Sequence, residues 1–120
     1  MGTPPGPQNS LPQAQVLALL WAIFLAEGAC RASVPFGWLP LAEAWKAGQV
    51  SFHLVMNQVR RELALEWRRY QKARAEGKWQ GDFILWLARV GYNANPKEWH
   101  NWEKNVRFFL KAFTGSSTLE

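Results

Sequence analysis

Few side chains in this sequence are suited to reaction chemistry, and their spacing does not bring them together. His53 and His100 are the only histidines, on separate predicted helices, with neither H-x-x-x-H nor H-E-x-x-H spacing to hold a metal on one helix face. Cys30 is the only cysteine. It rules out an internal disulfide and any zinc cluster of several thiolates, and just past a helix end it reads as a small packed residue. No Gly-rich loop follows a strand pattern, so a phosphate cradle of the P-loop or dinucleotide type is not expected. Glu62 and Glu66 lie one helical turn apart and could share a metal, but Arg69 stands within a turn or two of both. Surface ion pairs are the simpler reading. The expectation is a non-enzymatic protein with no metal and no cofactor.

The chemistry that the sequence does favour is anion recognition. Lys and Arg number 14 against 9 Asp and Glu, a formal net charge of +5. Residues 1–48 are neutral in sum, and the whole excess lies beyond them, with Arg60, Arg61, Arg68, Arg69, Lys72, Arg74 and Lys78 clustered in one segment. Neutralising phosphates is the main source of non-specific nucleic-acid affinity, and guanidinium groups fit phosphate oxygens in pairs. Glu62, Glu66 and Glu76 interleave and dilute the field without reversing it. A solvated helix face is the plain alternative.

These residues need elements to position them. The chain is 48% hydrophobic and 14% aromatic, which excludes intrinsic disorder, and its 120 residues suit one domain. Residues 1–9 are Pro/Gly-rich and expected to be flexible, 10–115 form the domain, and 116–120 form a flexible tail whose Leu119-Glu120 reads as a tag scar. The apolar run Val16–Ala26 follows no Lys or Arg, so it reads as a buried helix rather than a secretory signal. Ser10-Leu11-Pro12-Gln13 forms a capping box for that helix, which stops at Gly28 and is apolar nearly all round. A loop over 31–40 leads to a short helix, Leu41–Ala47, ending at Gly48.

From Gln49 to about Glu76 neither Gly nor Pro occurs. Helical periodicity puts Phe52, Val55, Met56, Val59, Leu63, Trp67 and Tyr70 on one stripe, with Asn57, Arg61, Arg68 and Lys72 opposite. Asp82 caps a short helix, Phe83–Val90, and Tyr92-Asn93-Ala94 turns into a second capping box at Asn95-Pro96-Lys97-Glu98. The last helix runs to about Phe113 with Trp99, Trp102, Val106, Leu110 and Phe113 inward. No segment alternates with period two, so the expected fold is all-α: a compact single domain of four to six helices.

Within this frame Leu41–Leu63 resembles the recognition unit of helix-turn-helix DNA-binding proteins. Leu41, Ala42, Trp45 and Ala47 fit the inward slots of the first helix and turn, and Phe52 and Val55 those of the second. The resemblance implies that Gln49, His53 and Asn57 face base edges and that Ser51 and Arg60 or Arg61 lie near phosphates. Lys46 stands where that family most often has Gly, and an ordinary helical hairpin accounts for the same pattern.

The tryptophans divide. Trp21, Trp67, Trp99 and Trp102 fall on inward stripes, whereas Trp38, Trp79 and Trp86 sit in or beside loops and Phe108 on an otherwise basic face. Exposed aromatics of this kind stack on unpaired bases or anchor a protein interface. The leading expectation is therefore a cytoplasmic, nucleic-acid-binding protein, a small regulator or accessory protein with no membrane partner. The alternative is a small helical subunit, adaptor or inhibitor docking on a larger protein or nucleoprotein complex through Trp38, Trp79, Trp86 and Phe108. Basic helical subunits of CRISPR effector complexes are similar in size, charge and helix content.

Overall fold

Helix α1, Gln13–Ala26, is built from strong helix formers and starts where Pro12 permits. Pro12 holds an extended ψ of 143°, and its carbonyl accepts the Gln15 and Val16 amides at 3.0 Å. The boundary residue is thus Pro12 rather than Ser10, and no side chain caps it; the expected capping box at Ser10 does not form. The computed structural model describes residues 10–92 and 95–119. The N-terminal stretch 1–9, residues Asn93 and Ala94 of the expected turn, and Glu120 lie outside the described residues.

Gly28, at a φ of 105°, ends α1 as expected. Its burial is one-sided, however: Leu19, Leu20, Ala22 and Ile23 are enclosed, while Leu17 and Trp21 remain exposed. Three 3₁₀ turns follow, at Ala29–Arg31, Pro35–Gly37 and Leu39–Leu41, leading to the five-residue helix α2, Ala42–Lys46. Cys30 lies exposed on the first of these turns, not packed as its position suggested.

Helix α3, Phe52–Ala75, spans 24 residues and is capped by Ser51, whose hydroxyl accepts the Leu54 amide at 3.1 Å. Helix α4, Phe83–Trp86, is capped by Asp82, which accepts the Leu85 amide at 3.1 Å. It does not continue to Val90 as an α-helix: Leu87–Gly91 widens into a π turn, closed by the Tyr92 amide on the Leu87 carbonyl at 3.0 Å. Helix α5, Trp99–Thr114, follows a 3₁₀ turn at Pro96–Glu98 in which Asn95 accepts the Lys97 amide, and Gly115 ends it at a φ of 83°. The fold is all-helical, with five α-helices and no strand among the described residues. No described helix is long and apolar enough to cross a membrane.

The core follows from the stripes. Helices α1 and α5 pack together most extensively, and Trp102 near the start of α5 meets Glu27 just past the end of α1, so the two run antiparallel. Val55, Val59, Leu63, Trp67 and Tyr70 of α3 meet Leu19, Leu20 and Ile23 of α1, Phe83, Ile84 and Leu87 of the α4 segment, and Trp102, Val106 and Leu110 of α5. Each such side chain contributes about 1.5–3 kcal/mol of burial. The aromatics fall into groups that pin α3 at both ends. Phe52 meets Trp21, Phe24 and Phe36 within 6.3 Å, and Trp67 and Tyr70 flank Phe83 at 4.9 and 5.3 Å. Trp99 and Phe113, expected inside, sit at the rim, because α5 buries only its Trp102–Val106–Leu110 line.

The tail corrects the reading of 116–120 as a loose end. Leu119 is buried in the core, and its carbonyl accepts the Phe83 amide at 2.9 Å. Arg107 holds this junction together. Its Nη1 donates to the Ser117 carbonyl and to Asp82 Oδ2, both at 2.7 Å, its Nη2 to Asp82 Oδ1 at 2.6 Å, and its Nε to Glu103 at 2.9 Å. Those hydrogen bonds, Asp82's foremost, raise the guanidinium's pKa despite burial.

Candidate nucleic-acid interface

With the apolar stripe of α3 turned inward, its opposite side becomes a ridge over which water has free access. At 100° per residue Asn57, Arg61, Arg68 and Lys72 share that ridge with His53, Leu54 and Leu65, and no acid falls among them. Arg61 and Lys72 are 11 residues apart, about 16 Å along the axis at 1.5 Å per residue. Ser51, His53, Asn57 and Arg61 line one shallow groove of about 360 Å³, and Arg68 and Lys72 another of about 330 Å³. Among the described residues Arg61, Arg68 and Lys72 have no ion-pair partner.

The remaining expected site residues do not all join them. Gln49 is exposed in the turn before α3, while its amide donates to the Ala44 carbonyl at 2.9 Å. Ser51 is exposed but committed to capping. Arg60 sits half-buried on the flank. Arg69 points away from the ridge and donates to Glu66 at 2.7 Å. Helix α2 packs on the Leu39–Leu41 turn and makes at most marginal contact with α3. A recognition unit needs its first helix laid across the second.

Of the pair read as surface carboxylates, Glu66 is internal and Glu62 half-buried. Glu66 is only 4% exposed and accepts the Trp86 indole N–H at 3.0 Å besides Arg69. Beside it Glu62 is pushed up to about 7, first by burial, then by its hydrogen bond to Glu66 and that group's charge, with Arg69 opposing. Glu62 thus takes up its proton more readily than an open carboxylate does. The spacing did carry a signal for this: Val59, Leu63, Glu66, Tyr70 and Ala73 recur at i+3 and i+4, which puts Glu66 on the inward stripe. Residue type had argued for the surface. No group of three or more His, Cys, Asp or Glu among the described residues could hold a metal ion.

The aromatics proposed for docking are mostly occupied. Trp79 and Trp86 are half-buried and pack edge to face at 5.3 Å, and Trp86 is tied to Glu66. Trp38 is half-buried against Tyr92 at 5.7 Å. Phe108 alone of the four is open to solvent, at 68%.

Compared with protein-family models, with curated proteins and with solved structures, the chain matches none.

Proposed function

We propose that the protein binds the sugar–phosphate backbone of nucleic acid along the outward ridge of α3, with Arg61, Arg68 and Lys72 as the principal contacts and Asn57 and His53 beside them. The observation that carries this reading is a row of three cations on one helix face, unpaired among the described residues, with the nearest acid, Glu76 a turn beyond Lys72, engaged by Lys78. Structural cations of this chain look different: Arg107 is wrapped in carboxylates and Arg69 is paired with Glu66. Backbone contact is favoured over base reading because α2 is five residues long and makes at most marginal contact with α3.

The test is a salt titration of binding to duplex DNA, single-stranded DNA and RNA in parallel. Three phosphate contacts give a log–log slope of about −3 on duplex, and the Arg61→Glu/Arg68→Glu/Lys72→Glu triple variant abolishes binding. Retention on heparin unchanged by the triple variant counts against the reading. Sequence-selective duplex binding lost with Asn57→Ala points instead to base contacts by the N-terminal part of α3. Docking on a protein rests on Phe108, and recovery with one partner that Phe108→Ala releases would favour it.

A further inference from the structure

Between the end of α1, the 32–40 loop and Tyr92 lies a cleft of about 670 Å³. Its character is opposite to the ridge. Glu27, Trp38 and Tyr92 line it, and no Lys or Arg does among the described residues. Glu27 is half-buried there, with Oε2 accepting the Trp102 indole N–H at 2.7 Å and no ion-pair partner among the described residues. The walls are held by specific bonds. Tyr92 stacks on Trp102 at 5.6 Å, lies 5.7 Å from Trp38, and donates its hydroxyl to the Phe36 carbonyl at 2.6 Å.

The backbone is shaped around that carboxylate. Phe36 takes a φ of 63°, a strained conformation for a residue with a side chain, and Gly37 follows at 62°. The positive φ of Gly37 favours glycine, and a Cβ there would overlap the Glu27 carboxylate unless that side chain moved. Burial, and then Glu98's charge, raise the Glu27 pKa against the Trp102 hydrogen bond. A protein of formal charge +5 thus places a carboxylate with no ion-pair partner among the described residues in a cleft that Trp38 and Tyr92 also line.

We infer that this cleft is a binding site for an organic cation, an ammonium or guanidinium group seated against the Trp38 ring with Glu27 as its counter-ion. Aromatic faces attract such ions through their quadrupoles, and a desolvated carboxylate adds a directional charge partner. The ligand is either a free small amine or a Lys or Arg side chain presented by another protein; the site chemistry is the same. The inference is independent of the α3 ridge.

Calorimetric titration of the full chain with choline, with N-acetyl-arginine amide and with 3,3-dimethylbutan-1-ol, the neutral isostere of choline, tests it directly. At least one cation is expected to saturate the protein and the isostere to bind about tenfold or more weaker. Tighter binding of choline identifies a free amine as the ligand, and tighter binding of the arginine derivative a protein side chain. Glu27→Gln keeps an acceptor for Trp102 and removes a costly charge, so its melting temperature should hold or rise while cation binding weakens about tenfold. The inference is overturned if neither cation saturates, if the isostere matches choline, or if folded Glu27→Gln binds the cation like wild type.

Discussion

Glu62 shows how one raised carboxyl pKa ties stability to pH. Its ordinary value is 4.5 and its folded value about 7, so the folded chain holds the proton more tightly than the unfolded one. The resulting stabilisation is complete below the unfolded value and is lost as pH rises through 7. Glu27 is raised as well and acts in the same direction. Melting temperature should therefore fall from about pH 5 to about pH 8, by a few degrees after allowing for partial exposure of Glu62. Glu62→Gln should flatten most of that slope and melt higher than wild type at the alkaline end. Thermal scans across this range check it, and a variant with the wild-type slope would contradict the assignment. Arg107 makes a second residue-scale case. Removing it leaves Asp82 and Glu103, both largely buried, without their cation, so Arg107→Ala should cost about 2–3 kcal/mol in urea unfolding. Arg107→Lys should recover little, because an ammonium cannot make the paired contact to Asp82.

At the scale of elements, what was legible followed from local rules, and what was not came from neighbours. The Asp82 cap, the Gly28 and Gly115 stops and the α3 stripe depend on residue type and helical period, and all are present. The outward row Asn57–Arg61–Arg68–Lys72 was readable for the same reason. Trp86 was misplaced because Glu66 claims it, a tertiary event between residues on different helices, while Arg69 is held by the same carboxylate within α3. The π turn after α4 belongs to that event. A Cβ on Gly91 would stand 2.7 Å from Glu66 Oε1, and Glu66 is fixed by Trp86 and Arg69 and has nowhere to move. Gly91→Ala should thus destabilise by about 1–3 kcal/mol through overpacking, even though alanine is the better helix former. Denaturant unfolding beside Glu66→Gln/Gly91→Ala separates the causes: a steric clash persists in the double variant, whereas an effect of charge would not.

At the scale of the molecule, the fold keeps the cations of the α3 ridge apart from two carboxylates, Glu27 at the aromatic cleft and Glu66 in the interior. That separation depends on closure of the core behind α3, and the tail residues perform part of it. Leu119 fills the core beside the α4 segment while its carbonyl accepts the Phe83 amide, and the Ser117 carbonyl accepts a hydrogen bond from Arg107. Two kinds of loss can be told apart. Leu119→Ala keeps both backbone bonds and removes only apolar volume, for about 2–4 kcal/mol. Deleting 116–120 also leaves the Phe83 N–H unpaired and should cost about 1–3 kcal/mol more. The ridge lies on the solvent side of α3 and shares no residue with this junction. Below its melting temperature Leu119→Ala should therefore bind nucleic acid with wild-type affinity and salt slope, while the triple charge variant should fold normally and not bind. If Leu119→Ala, still folded by circular dichroism, lost its affinity, the contact surface would have to extend to the tail and away from α3.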